Sequence, residues 1–506
     1  SPRRRELLAL IQPEFRVIPA QGDEVLPGGI SPQDAVLLLS ACAGTGGVEE
    51  NTEEVPVLTW IVPGSPQKDA ELVMKAINEI TVDKIGAKVD IQFVDDSLFS
   101  DRMTMNFATG NDFDLCFTGY LNPCMDAVQN NGYYDITDYF EKSDKLKSVI
   151  PDYILTKLKI DGRLYGIPNM QIVTSSTGLF VQKDLAEEYG LDPDEIHFIE
   201  DIEPMLEWVK NNKPDIYPFK TGRYGGGHAG VSQKMSELAG MVSSTWDENG
   251  NVAFVPGYET ENWQKDVRLM RDWFEKGYIR SDIASINDDE NELYEKKYAV
   301  WRGAYKPGGE EEFNANYDFE CIAIQLTKEY ITGGTTIAAG TAIGKNSKNP
   351  ELAFKLMEEV NTNVELFNLI AFGVEGENYK RNAEGKIELK KNGGWLTRGA
   401  WKFGNVFNSY ILEGQNENVW EETKKFNDNA ERTPITGWVF NTKPVRDEIA
   451  KMILVNEKYS MSGNGSEPPE SYLDSYIAEL KAAGVYKVAA EAQKQFDEWR
   501  GKNNLK

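Results

Sequence analysis

The chain has 506 residues, 41% of them hydrophobic, which is more than one hydrophobic core usually supports. Its 81 acidic and 54 basic residues give a net charge of −27, so the surface repels phosphate backbones and nucleic acid is not an expected partner. Such a surface favours neutral or cationic ligands. Only two histidines are present, His197 and His228, which argues against a histidine-rich zinc site and most histidine-dependent catalytic triads. We therefore expect no metal and no cofactor.

The mean hydropathy is −0.48, and no segment approaches the roughly 20 consecutive apolar residues that span a bilayer. Residues Leu39-Ser40-Ala41-Cys42 follow a short apolar run and resemble a bacterial lipobox, unless the match is a coincidence. The resemblance implies that Cys42 carries a lipid. Prolines and charges interrupt any long apolar core in residues 1–38, so we expect the export signal in this sequence to be incomplete. Residues 43–54, rich in Gly, Thr and Glu, are typical of a flexible tether.

From residue 55 the hydrophobic pattern alternates between strand and helix periods. Five segments carry it, in the order strand, helix, strand, helix, strand: Val55–Val62, Lys68–Ile80, Val89–Val94, Leu98–Thr109 and Asp114–Phe117. This order predicts a parallel sheet with right-handed crossovers. Because ligands bind beyond the carboxyl ends of the strands in such sheets, we expect a site near residues 60–64, 95–97 and 118–120.

The middle and the C-terminal part of the chain are predicted to be rich in helices. In the middle part we expect helices at Ile202–Asn211, Ser232–Val242 and Asn262–Lys276, a turn at 247–251 and a strand at Lys296–Trp301. In the last part the pattern predicts helices at Thr442–Tyr459, Ser471–Ala483 and Tyr486–Trp499, with Gly484 as the stop between the last two.

Several motifs between residues 132 and 353 resemble those of a known family. In chain order they are Gly132–Tyr139 (GYYDITDY), Asp161–Pro168 (DGRLYGIP), Leu179–Asp184 (LFVQKD), Glu203–Pro218 and Asn349–Ala353 (NPELA). They resemble the extracellular solute-binding proteins of bacterial ABC importers, family 1, which includes maltose-binding protein. Three further stretches resemble a C-terminal module found in a lipoprotein subgroup from Gram-positive bacteria: Trp401–Tyr410 (WKFGNVFNSY), Gly437–Pro444 (GWVFNTKP) and Tyr472–Trp499. The resemblance covers about residues 55–506, and the order of the motifs makes it specific.

The resemblance implies an α/β, two-lobed, periplasmic-binding-protein-like fold with a hinge, an interlobe cleft and a helical C-terminal extension. Residues 1–54 would be leader, lipobox and tether. Lobe one would comprise 55–168 and 331–374, and lobe two 174–328 and 378–506. The chain would be a receptor, not an enzyme, that captures a carbohydrate such as an oligosaccharide and delivers it to the transmembrane subunits of an ABC permease. It would be a monomer on the extracellular face of the cell membrane, attached only through the lipid at Cys42.

Sugars have apolar ring faces and hydroxyl-bearing edges, so proteins bind them with aromatic rings and planar hydrogen-bonding side chains. Position relative to the predicted strands and hinge selects twelve candidate ligand-binding residues: Trp60, Asp95, Asp96, Ser97, Tyr120, Asn169, Gln171, Trp246, Trp301, Arg302, Trp395 and Trp401. The first five lie at the carboxyl ends of predicted strands and the next two follow the hinge motif. The last five lie at a strand end or in segments assigned to lobe two.

Each candidate also has a purely structural interpretation. Any of the tryptophans could belong to a hydrophobic core, because most aromatic rings of a globular protein do. Ser97 could cap the following helix, and Asn169 and Gln171 could satisfy backbone groups of the hinge. Three other tryptophans lie on predicted helices and are assigned to packing: Trp208, Trp273 and Trp499.

Competing functions have weaker support. Gly225–Gly230 (GGGHAG) matches the dinucleotide-binding pattern GxGxxG, but no apolar strand precedes it, so we expect a loop. Asp288–Glu292 could bind calcium but lacks the glycine of an EF-hand loop, so we expect a solvated charge run. Cys116 and Cys124 could pair, although we expect buried free thiols. The alternative functions are a receptor for a peptide or another solute, and a glycoside hydrolase that uses paired carboxylates.

Overall fold

A computed structural model of the chain describes residues 55–503 except 111–112, 175, 223–234, 287–291, 294 and 332–337. Its strands are β1 (Val57–Pro63), β2 (Lys88–Val94), β3 (Leu115–Gly119), β4 (Lys159–Ile160), β5 (Arg163–Leu164), β6 (Ile167–Pro168), β7 (Thr177–Gln182), β8 (Tyr217–Lys220), β9 (Met235–Ala239), β10 (Val242–Trp246), β11 (Val252–Pro256), β12 (Tyr298–Ala304), β13 (Cys321–Gln325), β14 (Tyr330–Ile331), β15 (Ala339–Ile343), β16 (Tyr379–Arg381), β17 (Ile387–Leu389) and β18 (Glu431–Arg432).

Helices connect and cover these strands. They are α1 (Ala70–Ile85), α2 (Asp96–Thr109), α3 (Cys124–Gln129), α4 (Thr137–Lys142), α5 (Asp144–Val149), α6 (Lys183–Tyr189), α7 (Glu203–Asn212), α8 (Glu261–Glu275), α9 (Gly309–Asn316), α10 (Pro350–Thr362), α11 (Val364–Phe372), α12 (Val419–Asn429), α13 (Arg446–Lys458), α14 (Met461–Asn464), α15 (Leu473–Ala483) and α16 (Val485–Lys502). Within the described residues, no helix is both long and apolar enough to cross a membrane.

Lobe one is built on a five-stranded sheet in the order β2-β1-β3-β15-β6. Strand β1 pairs in parallel with β2 along its whole length and also with β3, whereas β15 is antiparallel to β3. Helices α1 and α2 connect the parallel strands, which confirms the parallel arrangement predicted from the alternating pattern. Strand β1 reads as an almost unbroken apolar run because it lies between two neighbours in a buried sheet.

Lobe two is built on a four-stranded sheet in the order β13-β7-β12-β8. Strand β12 is parallel to β8 and antiparallel to β7, so β8 and β12 end at the same edge of the sheet. One face of this sheet packs against a hydrophobic cluster that includes α6, α7 and α8, and the other face carries a smaller aromatic cluster around Trp301. The common edge of β8 and β12 is where a ligand site is expected in an α/β sheet.

A third, antiparallel sheet in the order β11-β10-β9 packs with the C-terminal helices α13, α15 and α16. The prediction of a helix at Ser232–Val242 was wrong, because β9 and the start of β10 occupy the described part of this range. Gly240 has a φ of +58° and makes the turn between the two strands, a conformation that breaks a helix. The predicted stop at Gly484 is confirmed, with a φ of +105° between α15 and α16.

The lobe boundary in the C-terminal half differs from the expected one. The core of lobe one contains Trp395, Phe403, Val406 and Ala430, together with residues from β1 to β3 and from α10 and α11. These residues were assigned to lobe two, but their side chains are buried against lobe one. The chain therefore returns to lobe one after α11, and only its last part, from about residue 434, packs on the third sheet.

Asn427, on α12, holds the segment that leads from lobe one to lobe two. Its amide nitrogen donates to the Gln171 carbonyl at 2.9 Å, and its amide oxygen accepts from the Val173 N–H at 2.9 Å. The side chain is buried, so both backbone groups depend on it as a hydrogen-bond partner. The position of this crossover, and with it the position of Gln171, is thus fixed by a residue about 250 positions away.

Replacing Asn427 with alanine should lower the free energy of unfolding by about 2–4 kcal/mol, because two buried backbone groups lose their partner. Urea denaturation followed by circular dichroism would measure the change. Asn429→Ala is the matched control, since Asn429 lies exposed on the same helix and should change stability by no more than about 0.5 kcal/mol. Equal effects of the two substitutions would contradict the role given to Asn427.

Candidate functional site

A cavity of about 440 Å³, open to solvent, lies at the carboxyl ends of β8 and β12. We call it the cleft pocket. Residues of β7, β8, β12 and α9 line it on the side of lobe two, and the loop that contains Arg398 and Trp401 lines it on the side of lobe one. Its described lining residues with aromatic, charged or hydrogen-bonding side chains include Phe180, Lys220, Thr221, Trp301, Arg302, Lys306, Glu312, Phe313, Asn316, Tyr317, Arg398 and Trp401.

Trp301 forms the aromatic wall of the cleft pocket together with neighbouring rings. It stacks on Phe180 with ring centroids 5.9 Å apart and 15° between planes, and it lies 5.2 Å from the Phe313 ring. Phe319 packs edge-on at 6.1 Å. Only 6% of Trp301 is exposed, so the indole shapes the wall mainly through packing and offers the pocket a limited surface.

The charged residues of the cleft pocket are mostly basic: Lys220, Arg302, Lys306 and Arg398, with Glu312 as the acidic residue among the described lining. Lys306 and Glu312 form an ion pair across the first turn of α9. The Arg398 guanidinium lies 5.1 Å from the centroid of the Tyr317 ring. Among the described lining residues, basic side chains therefore outnumber acidic ones, on a protein whose net charge is −27.

Arg302 lies near the end of β12, two residues before its last residue, Ala304. Its Nη1 atom is buried and has no hydrogen-bond partner in the described part of the chain. Burial lowers the pKa of the Arg302 guanidinium to about 10, and the carboxylate of Asp266 opposes this decrease. The hydroxyl of Thr221, which follows β8 and lines the same pocket, is likewise buried without a hydrogen-bond partner. Both atoms are also closed to solvent, so they lie within the wall of the pocket and not on its surface.

Trp401 forms the opposite wall, on the side of lobe one. Its ring lies edge-on to Phe117 at 6.3 Å and is tilted against Tyr120 at 6.1 Å. Asn169, directly after the hinge strand β6, donates from its amide nitrogen to the Trp401 carbonyl at 2.8 Å. The hinge and the end of β3 therefore both position this indole, which is partly exposed and lines the pocket.

Two further candidates lie at the rim beside Trp401. Tyr120 is 54% exposed and donates from its hydroxyl to Asp96 at 3.3 Å. The ammonium group of Lys402 lies 3.9 Å from the Asp96 carboxylate and donates to the Pro63 carbonyl at 3.2 Å. Asp96, Tyr120 and Lys402 thus form a polar rim at the carboxyl ends of the strands of lobe one, as the predicted strand order requires.

A second, narrow cavity of about 40 Å³ adjoins the cleft pocket, and we call it the inner pocket. The two cavities share Lys306, Glu312, Asn316, Arg398 and Trp401 as lining residues. Most other walls are apolar or aromatic: Phe372, Leu389, Trp395, Leu396, Val406, Tyr410, Leu412 and Trp420.

Most polar side chains of the inner pocket are already bonded to the protein. Trp395 donates from its indole nitrogen to the Ile370 carbonyl at 3.0 Å, and Thr423 donates to the Val419 carbonyl at 2.8 Å. Gln171 lines this pocket, and its carbonyl is held by α12. The inner pocket is therefore a narrow, mostly apolar cavity that is too small for a sugar ring.

Five of the twelve candidates line one of the two pockets: Gln171, Trp301, Arg302, Trp395 and Trp401. Asn169, Asp96 and Tyr120 lie beside Trp401 without lining either pocket. Of the lining residues, Trp395 is almost fully buried, so it supports the inner pocket from the core of lobe one.

The remaining four candidates have structural roles. Trp60 is 1% exposed in the core of lobe one, where its ring packs edge-on against Phe403. Trp246 is buried on β10, in the third sheet. Asp95 caps α2, accepting hydrogen bonds from the backbone N–H and the hydroxyl of Ser97, and these bonds lower the pKa of Asp95. The residue that caps α2 is therefore Asp95, and Ser97, which the sequence analysis considered for this role, donates hydrogen bonds to it.

The sequence analysis did not select the pocket residues that lie on α9 and on either side of it, or the one in the loop before Trp401. These are Lys306, Glu312, Phe313, Asn316, Tyr317 and Arg398. The segment from residue 305 to 317 directly follows β12, the strand from which Trp301 and Arg302 were selected. The rule that ligands bind beyond the carboxyl ends of strands would have found this segment if it had been applied past Gly308 and Gly309. Arg398 has a φ of +51°, and no local pattern indicated that its loop reaches across the cleft.

The competing motifs fall mostly outside the described residues. This holds for Gly225–Gly230 and for residues 288–291 of the acidic run, whereas Glu292 forms an ion pair with Arg280. Cys116 and Cys124 are buried free thiols as predicted, and burial raises the pKa of Cys124 to about 12. Among the described residues, no group of three His, Cys, Asp or Glu side chains could hold a metal ion.

Comparison with known proteins gives two family matches. A model of the bacterial extracellular solute-binding protein family matches residues 67–364, and a model of a domain of unknown function, DUF3502, matches residues 434–501. The second range coincides with the segment that packs on the third sheet. A carbohydrate ABC transporter substrate-binding protein of Streptococcus pneumoniae serotype 4 is 27% identical over 486 residues, covering 92% of this chain and 96% of the relative.

Solved structures of similar proteins have the same overall fold. The N-glycan transport solute-binding protein NgtS of Streptococcus pneumoniae, in complex with Man1GlcNAc, is 25% identical with a TM-score of 0.76, covering 88% of this chain and 99% of that chain. The complex of NgtS with Man5GlcNAc gives 25% identity and a TM-score of 0.75, covering 89% and 100%. The family model spans more than half of the sequence, so the chain belongs to the bacterial extracellular solute-binding proteins, which are receptors and not enzymes.

Proposed function

We propose that this protein is the receptor of an ABC importer and captures a carbohydrate, in particular an oligosaccharide, in the cleft pocket. The observation that carries the proposal is the pocket itself, which has an indole on each side, Trp301 and Trp401, and polar groups between them. Rings of this kind cover the apolar faces of sugars, while side-chain donors such as Asn316 and Arg302 bond their hydroxyls. The relatives whose printed names mention carbohydrate or N-glycan support the same ligand class.

The size of the site suits a sugar ligand. The cleft pocket has a volume of about 440 Å³, within the roughly 300–1,000 Å³ that is usual for small-ligand pockets. Because this pocket is open to solvent, further rings of an oligosaccharide can extend from it, whereas the inner pocket, of about 40 Å³, adds little room. Closing the lobes would bring the walls at Trp301 and Trp401 together around the ligand, and the ligand would favour the closed state only by its higher affinity for that state.

The proposal predicts saturable binding of one or more glycans without turnover. A glycan array on the purified protein would select the ligand, and calorimetry would give its affinity and stoichiometry. At a ligand concentration of 100 times Kd, the gain in stability should be about 2.7 kcal/mol, visible as a higher melting temperature. Binding of peptides without binding of any glycan would favour the alternative that the protein is a peptide receptor. Release of shorter sugars with time would show hydrolysis and would contradict the receptor function.

We also propose that the protein acts as a monomer on the extracellular face of the membrane, anchored through a lipid on Cys42 and delivering its ligand to the permease subunits. The sequence around Cys42, which lies outside the described residues, supports the anchor. Expression of residues 39–506 behind a bacterial lipoprotein signal, with a clickable palmitate analogue, should label the protein. Cys42→Ser should abolish the label, and a label that persists in this variant would contradict the anchor site.

A further inference from the structure

We infer that α9 is a bridge between the two lobes. Lobe two carries the helix, but a segment of lobe one holds both of its ends, so the lobes are joined at the cleft and the pocket wall is positioned before a ligand arrives. This inference goes beyond the proposed function, because it concerns the free receptor and not the ligand.

The attachment of α9 to lobe two is direct. The helix lies between β12 and β13 in the chain, and two backbone N–H groups of β13 donate to the side chains of Asn314 and Glu310, each at 2.8 Å. Phe313 adds a ring contact with Trp301, at 5.2 Å between centroids. Because these bonds engage main-chain groups of the sheet, the helix moves with lobe two.

The other side of α9 contacts the segment from residue 379 to 419, which follows α11. Gln415 donates from its amide nitrogen to the Gly308 carbonyl at 3.3 Å, and the Lys391 ammonium group donates to the Tyr317 carbonyl. Gly308 directly precedes the helix and Tyr317 directly follows it. Both ends of α9 are therefore bonded to this segment.

Apolar packing fills the contact between these two bonds. Ala315, on α9, packs against a cluster of buried residues that all belong to the same segment: Tyr379, Ile387, Leu389 and Leu412. At the start of the helix, a Cβ atom on Gly308 would overlap the Cγ2 atom of Val419, so only glycine permits this close approach. The helix and the segment thus pack closely along their contact.

Lobe one holds the segment that contacts α9, through bonds near the start of α1. The Asp69 N–H donates to the Gly394 carbonyl at 2.9 Å, and the Asp69 carboxylate accepts from the Asn378 amide at 2.8 Å. The Leu396 N–H donates to the side-chain oxygen of Gln67 at 2.7 Å. Since α1 packs in the core of lobe one, the segment belongs to that lobe.

The bridge lies at the cleft and not in the crossovers. The chain passes from one lobe to the other between Val173 and Leu179 and between Ile324 and Ile331, because the members of each pair lie in different cores. Residues of α9 line the cleft pocket, so their contacts with lobe one limit rotation about these crossovers. A pocket positioned in this way loses less free energy when a ligand binds.

A disulfide between the lobes tests the bridge without any glycan. A Cβ atom on Gly414 would lie 3.8 Å from the Cβ atom of Glu311, which matches the mean separation in protein disulfides. The variant Glu311→Cys/Gly414→Cys, in the full chain with Cys42→Ser, is treated with diamide, which accepts the two hydrogen atoms that the thiols lose. Three further cysteines are buried and should not react: Cys116, Cys124 and Cys321.

Most of the ligand-free double variant should form the internal disulfide, visible as a shift on non-reducing electrophoresis, and neither single variant should. Small-angle scattering should give the oxidised and the reduced protein the same radius of gyration, because the lobes are already joined. A markedly smaller radius after oxidation would overturn the bridge, since the disulfide would then have trapped a transient closure. Failure to cross-link in a double variant that stays folded would overturn it as well.

A substitution within the contact provides a measurement that does not depend on cysteine at Gly414, where a φ of +86° strains any side chain. In the chain without added cysteines, Ala315→Glu should raise the radius of gyration, because a carboxylate is placed against apolar side chains. In the double-cysteine variant it should slow cross-linking about tenfold. An unchanged radius in folded Ala315→Glu would overturn the bridge.

Ala450→Glu is the matched control, since Ala450 lies exposed on α13, and it should change neither the radius nor the rate of cross-linking. None of these measurements uses a glycan. A failed bridge would therefore leave the proposed receptor function in place, and failure of every glycan to bind would leave the bridge in place.

Discussion

Replacing Trp301 with alanine should lower the free energy of unfolding of lobe two by about 3–5 kcal/mol. The indole is 6% exposed and packs against Phe180, Phe313 and Phe319, so its removal leaves a cavity that these rigid rings cannot fill. The sequence analysis selected Trp301 only as a candidate ligand-binding residue. The packing of its ring predicts that the main effect of the substitution is a loss of stability and not a loss of binding.

Urea denaturation monitored by fluorescence would measure the change, with hydrogen exchange of β12 to locate it. Trp301→Phe is the matched variant, because phenylalanine keeps the stacking on Phe180 and should lose less than half as much stability. A loss below about 1 kcal/mol for Trp301→Ala would contradict the buried packing described for this ring.

Replacing Trp401 with alanine should weaken binding of the glycan selected on the array by about 10–100-fold, with a much smaller effect on stability. This indole is partly exposed, lines both pockets, and is held by Phe117, Tyr120 and the side chain of Asn169. A rigid and positioned ring loses little entropy on binding, so most of its contact with the ligand contributes to affinity.

Calorimetry of the Trp401→Ala variant, together with its melting temperature, would test this prediction. Trp208→Ala is the control, because Trp208 packs on α7 against Tyr189 and lines neither pocket. Its affinity for the glycan should equal that of the unmodified protein. An unchanged affinity in folded Trp401→Ala would remove this residue from the site and shift the ligand away from the wall of lobe one.

The described lining of the cleft pocket shows why composition is a poor guide to a binding site. Net charge sums over the whole surface and sets long-range properties such as repulsion of nucleic acid. A binding pocket, however, is lined by a few residues, whose charges act at short range and in a medium less polar than water. The excess of basic residues in the cleft pocket is invisible in the totals, because its members are separated by as many as 178 positions, from Lys220 to Arg398.

Local periodicity was sufficient for most of the elements that the sequence analysis predicted. The strand–helix alternation from residue 55 predicted the parallel sheet of lobe one, and the long helices α7, α8, α13, α15 and α16 lie close to their predicted positions. The exception is the strand pair β9 and β10, where packing against the C-terminal helices outweighed a weak helical pattern. Short-range preferences decide an element only when tertiary contacts do not oppose them.

The order of motifs along the chain determined the family, the two-lobed fold and the approximate place of the site, because these depend on local patterns and on strand order. Tertiary structure decided which candidates reach the cleft: Trp60 faces the core, whereas Trp401 returns to lobe one and meets lobe two across the pocket. The reason is that a side chain's direction and its distant neighbours arise from crossovers such as the one fixed by Asn427. These long-range contacts leave no periodic pattern in a single sequence.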